Sequence, residues 1–106
     1  MSGSGGGGYV PPQRAKFDCD NGQVITTLSS VDLIVLKKLA VGVILEVEIG
    51  GNESLVVIDA DGEIVGSIVH PSTSDIIECI KKGNHYEAEI VEINYPACKV
   101  KIKSIK

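Results

Sequence analysis

The sequence predicts a β-rich α+β domain: a small curled antiparallel sheet or partial barrel of about five to seven strands, with two short helices. Three observations predict it. The stretch from Leu55 to Ile93 reads strand, tight turn, strand, short helix, glycine, strand. Val43 to Ile49 alternates, with Val43, Leu45, Val47 and Ile49 on one face and Glu46 and Glu48 on the other, the period of a half-buried strand. Hydrophobic residues make up 43% of the chain and aromatic ones only 4%, so Val, Ile and Leu must build the core.

The elements follow in order. Asp18-Cys19-Asp20-Asn21-Gly22 has turn composition, and Gln23 to Leu28 reads as a strand. Ser29, with Asp32 three positions on, resembles a helix N-cap with an acidic third residue. Val31, Ile34, Val35 and Leu39 would share one face of that helix. Gly42 sits at a break, and Gly50-Gly51-Asn52 supplies a turn after the alternating strand. Leu55 to Ile58 is a continuous apolar run suited to a central strand. Asp61-Gly62 tolerates positive φ and predicts a hairpin to Ile64–Val69. Gly66 inside that strand predicts a bulge or a close backbone approach. After Pro71, Ser72 and Asp75 form a second cap-like pair, and Ile76, Ile77 and Ile80 mark the inner face of a helix. Lys81 and Lys82 suit its C-terminal dipole, and Gly83 suits a left-handed cap. Tyr86 to Ile93 is a strand, Asn94-Tyr95-Pro96 a turn, and Cys98 to Ile102 a closing strand with Val100 and Ile102 inward.

The 106 residues fit one domain. Met1 to Gly8 is almost wholly Gly and Ser, a composition with little to bury. Residues 1–16 are therefore expected to be a flexible tail, and 17–106 a single globular domain. Tyr9, Val10, Pro11 and Pro12 read as a short extended segment, because proline fixes its own φ and restricts its neighbour. That segment is either a staple onto the domain or an anchor for a partner. No stretch approaches the ~18 consecutive apolar residues of a membrane span. The start has no apolar signal region, and three cysteines without paired spacing read as reduced thiols. The expectation is a cytoplasmic protein without membrane contact.

The sharpest surface feature is the row Lys99, Lys101 and Lys103. Such a row, extended by Lys81 and Lys82, could track a phosphate backbone. Lysines on an edge strand also guard against edge-to-edge aggregation. If the last two strands pair around Asn94 to Ala97, Glu87, Glu89 and Glu92 become cross-strand neighbours of these lysines and neutralise the patch. The net charge of -4 weighs against a nucleic-acid binder. Cys19, Cys79, Cys98, His70 and His85 lack the close ligand pairing of structural zinc sites. Cys79 among isoleucines reads as a small hydrophobe, and the two histidines as loop residues. Asp18, Asp20 and Gly22, like Asp59, Asp61 and Gly62, fit turn chemistry rather than a calcium loop. No nucleophile elbow or phosphate loop is present. Neither metal nor cofactor is expected, and no enzymatic activity.

The residues Leu55-Val56-Val57-Ile58, Asp61-Gly62, Val65-Gly66, Ile76, Ile80, Gly83, Tyr86 and Ala88 together resemble the second half of a HIRAN domain. The resemblance covers about 50 residues. It implies a small β-barrel related to oligonucleotide-binding barrels, some of which bind single-stranded DNA ends. The sequence departs from that pattern upstream of the turn, where Gly50-Gly51-Asn52-Glu53 stands, and the aromatic and basic DNA-facing residues have no clear counterparts. The expected function is thus a non-enzymatic binding module, a small accessory protein of bacterial type. It would engage a protein partner through a sheet edge and Tyr9 to Pro12, with homo-oligomerisation as another use of that edge. HIRAN-like nucleic-acid binding through Lys81, Lys82, Lys99, Lys101 and Lys103 is the alternative.

Overall fold

The computed structural model describes residues 17–105. The elements are β1 (Gln23–Thr27), α1 (Leu33–Leu36), β2 (Ile44–Ile49), a 3-10 turn (Gly51–Glu53), β3 (Leu55–Ile58), β4 (Ile64–Ile68), α2 (Thr73–Lys81), β5 (His85–Asn94) and β6 (Ala97–Ile105). The strands form one antiparallel six-stranded sheet in the order β1-β6-β5-β2-β3-β4. The expected β-rich fold is therefore present, with six strands curled into a half-barrel.

The curl brings the two outer strands together at one point. Just past β1, Ser29 exchanges two main-chain hydrogen bonds of 2.8 Å with Ser67 of β4. Gly66 is what permits this approach. A Cβ there would lie 3.0 Å from the Ser29 carbonyl oxygen and 3.2 Å from Leu28 Cβ. The same strand carries a bulge, since Val57 faces Gly66 but Ile58 faces Ile64, leaving Val65 as the extra residue. Both readings of Gly66 thus hold.

Inward residues from every strand fill the interior, among them Val24, Leu45, Val47, Val57, Val65, Ala88, Ile90, Val100 and Ile102, all buried. Helix α2 lays Ile76 and Ile77 against them. It ends as expected at Gly83, whose φ is +108°. The Gly83 N–H donates to Ile80 and the Asn84 N–H to Cys79, which satisfies two end carbonyls in the Schellman arrangement. Its start differs from expectation: Ser72 holds the cap position, but its side chain makes no capping bond. Thr73 instead ties down the preceding loop, its hydroxyl accepting from the His70 N–H at 3.0 Å.

The first helix also departs from the expected form. Asp32, not Ser29, is its N-cap, accepting from the Ile34 and Val35 amides at 3.0 and 3.2 Å. Ser29 is held by β4, so the helix starts later and spans only four residues. Val35 and Leu36 turn inward, whereas Ile34 is 77% exposed. Val31 and Leu39 also pack against the core as read, so of the expected stripe only Ile34 turns outward, and Leu36 is buried in addition.

Candidate functional site

Strands β5 and β6 pair as a hairpin, and the register sets Glu87 opposite Lys103, Glu89 opposite Lys101 and Glu92 opposite Lys99. The parity of Glu92 is wrong for this, since it is even-numbered and the other two acids are odd. A bulge at Val91 corrects it, shifting the register between Ile90 and Glu92. Lys99 lies 3.4 Å from the Glu92 carboxylate. On their other side the lysines meet uncharged residues of β1: Thr27, Ile25 and Gln23. Each lysine of the row therefore has an acid on one flank only. Lys81 is engaged elsewhere, 2.7 Å from Glu53, and Lys82 lines a small cavity with Phe17, Cys19 and Cys79. Tyr9, Val10, Pro11 and Pro12 lie outside the described residues.

The acidic turns behave as turns. Asp59 Oδ1 accepts from the Asp61 and Glu63 amides at 3.0 and 2.9 Å, and Asp18 Oδ1 from Asp20 and Asn21 at 2.9 and 3.1 Å. The carboxylates of Asp59, Asp61 and Glu63 come within 4.8 Å of one another, and Glu63 is bound by Lys38 at 2.7 Å. His70 lies in the loop before α2, its Nδ1 accepting from the Ser72 amide. His85 opens β5 and is not a loop residue.

The cysteine reading is overturned. Cys19 and Cys79 form a disulfide across a sequence separation of 60. Only Cys98 is free, buried on β6, where burial pushes its thiol pKa up. Cys79 is buried as expected, but bonded. The bond ties the turn at residues 18–22 to α2. Tyr86 strengthens the same corner, donating its hydroxyl to the Cys19 carbonyl at 2.6 Å and packing its ring 6.0 Å from that of Phe17. Burial, then the charges of Asp20 and Asp18, raise the Tyr86 pKa. Two of the three cysteines expected as reduced thiols are thus oxidised, and they no longer point to the cytoplasm. Among the described residues no helix is long and apolar enough to cross a membrane.

The feature that sequence reading missed lies between β2 and β5. Their ladder runs from Ile44–Glu89 to Glu46–Glu87 and stops. Strand β2 nevertheless continues to Ile49 against β3, and β5 begins at His85 against β6. The strands splay beyond the last rung, which sets two carboxylates directly opposite, a destabilising pair. The opening is a groove of about 660 Å³ lined by Glu46, Val47, Glu48, Ile49, Ile80, His85, Tyr86 and Ile105. The Lys81–Glu53 ion pair links α2 to the turn beyond β2.

Backbone alternation fixes what faces this groove. The Ile90 amide donates to Val43, and at the far end of β2 the Gly50 amide donates to Ser54, across the β3 side. Odd residues of β2 therefore direct their N–H and C=O groups away from β3. For Val47 and Ile49 that direction is the groove. The side chains of Glu46 and Glu48 stand on the outer face of the same strand, both exposed. A hydrogen bond with Glu46, slight burial and the repulsion of the Glu46 charge hold Glu48 above the ordinary glutamate pKa. Among the described residues no lysine or histidine nitrogen lies within ion-pair distance of either carboxylate.

Neither a protein-family model, nor a curated protein, nor a solved structure matches this chain.

Proposed function

We propose that this protein is a non-enzymatic binding module that takes up an extended segment of a protein partner by strand addition. The site is the opening between β2 and β5. The observation that carries the reading is the early end of the Glu46–Glu87 ladder. It leaves the main chain of Val47 and Ile49 aimed at an apolar groove beside Ile80. Strand addition requires an unfilled edge for affinity and a neighbouring pocket for side chains. Both occur here together. Tyr9 to Pro12 form the second contact in this reading.

The test is hydrogen exchange on the complex with a partner captured after nuclease treatment. Slowed exchange at Val47 and Ile49 supports the site. Protection confined to other strands refutes it. Deleting residues 1–12 should weaken the complex without removing that protection.

The alternative is HIRAN-like binding of single-stranded nucleic acid. Its support is that Lys99, Lys101 and Lys103 share one outer face and have uncharged β1 neighbours on one flank. In that case charge reversal at Lys101 and Lys103 abolishes binding, and affinity falls steeply with salt.

A further inference from the structure

The groove's own chemistry narrows what it takes up, on the reading that it accepts a strand. Residues Glu46-Val47-Glu48-Ile49 of β2 repeat the acid–apolar alternation of Glu87-Ala88-Glu89-Ile90 on β5. On β5 that pattern has a partner. Strand β6 sets Lys103 and Lys101 against Glu87 and Glu89, and Ile102 and Val100 against Ala88 and Ile90. Charges meet on the outer face and aliphatic groups on the inner one. On β2 the same pattern has β3 along one edge, and from Val47 onward the groove along the other.

We infer that the segment bound at this opening is a short cationic β-strand of a partner protein, with lysine or arginine at alternate positions separated by aliphatic residues. One cationic residue stands across from Glu48 and the next lies diagonal to Glu46, whose place opposite is taken by Glu87, and the aliphatic ones point toward Ile80 and the inner face. The protein thus recognises in another chain the type of strand that it already carries as Lys99-Val100-Lys101-Ile102-Lys103. Charge complementarity supports the assignment. The Glu46–Glu87 rung is a like-charge pair that an added cation relieves.

The experiment titrates the full chain with a blocked Lys-Val-Lys-Ile-Lys peptide and follows backbone amide resonances. Thr-Val-Thr-Ile-Thr and Glu-Val-Glu-Ile-Glu peptides serve as comparisons. The lysine peptide should shift Val47, Ile49 and Tyr86, at about a tenfold lower concentration than the threonine peptide. That advantage should vanish in Glu46→Lys/Glu48→Lys and shrink in Glu46→Gln/Glu48→Gln. Both variants change exposed side chains and leave the core untouched. Equal binding of lysine and threonine peptides at these amides overturns the cationic assignment and leaves strand addition standing. Lysine-peptide binding that survives charge reversal overturns it also. If no peptide moves these amides, both readings fall. Self-association that excludes the peptide makes a second copy the occupant and overturns the inference.

Discussion

Replacing Cys19 and Cys79 with alanine should remove a large share of this domain's stability. The disulfide closes a sequence separation of 60. The chain-entropy treatment of a loop that long gives ~4 kcal/mol at 25 °C. Alanine suits both positions, because Cys79 is buried among Ile76, Ile77 and their neighbours and a hydroxyl there would lack a partner. The Tyr86 bond to the Cys19 carbonyl involves the main chain and survives the change. The variant therefore isolates the cross-link. For a domain of this size a loss of that magnitude lowers Tm by roughly 15–30 °C. Urea unfolding of the oxidised protein and the double variant, each extrapolated with its own m and with m larger in the variant, measures the difference. A thiol count under denaturing, non-reducing conditions should give one reactive group, Cys98. Three reactive thiols, or a loss below about 1 kcal/mol against the expected range, would refute the reasoning.

Three other changes test separate parts of the structure. Gly66→Val should cost about 1–3 kcal/mol, because its Cβ would press on the fixed Ser29 carbonyl; urea unfolding at unchanged m is the check. Tyr86→Phe should cost about 1 kcal/mol by leaving the Cys19 carbonyl without its donor, and hydrogen exchange should quicken first around residues 18–22. Glu48 has a raised folded-state pKa, so its protonated form is favoured by folding. Its contribution is fully present below the unfolded value and is lost as pH rises through the folded one. Stability followed from pH 4 to 7 should therefore fall less in Glu48→Gln than in the parent, and an identical profile would exclude Glu46–Glu48 coupling.

Much of this fold was legible because strands announce themselves by parity. The alternation of β2 and β6 placed their inward residues correctly, and the hairpin turns at Asp61-Gly62 and Asn94 to Ala97 fell where their composition put them. Gly66 was legible because a strand interior gains nothing from a glycine unless the backbone bulges or another segment comes close. The misreadings share a cause, which is that long-range contacts overrode local signals. Ser29 has the sequence of a cap, but its main chain is claimed by Ser67, 38 residues away. Cys19 and Cys79 have no spacing signature, and only the fold brings them together. Glu92 reached the right face through a bulge that no local residue pattern marks. The groove was invisible for the same reason. It exists where two strands part, and nothing in either strand says where its neighbour leaves. What the sequence did carry was its chemistry, in the repeated acid–aliphatic pattern of β2 and β5.

The pairing of the first strand with the last has a consequence for how this domain can be carried. Gln23 sits beside Lys103, and the ladder runs on to Thr27 beside Lys99. The chain therefore, with residues 17–22 lying before the first strand, enters and leaves the sheet on adjacent strands. A short linker can join them, and new termini can be opened in the exposed turn at residues 60–62 without cutting a strand. By the same geometry the domain can be spliced whole into a surface loop of another protein, because the chain enters and leaves its sheet on neighbouring strands. Circular permutants opened at that turn are the direct way to build it into larger assemblies.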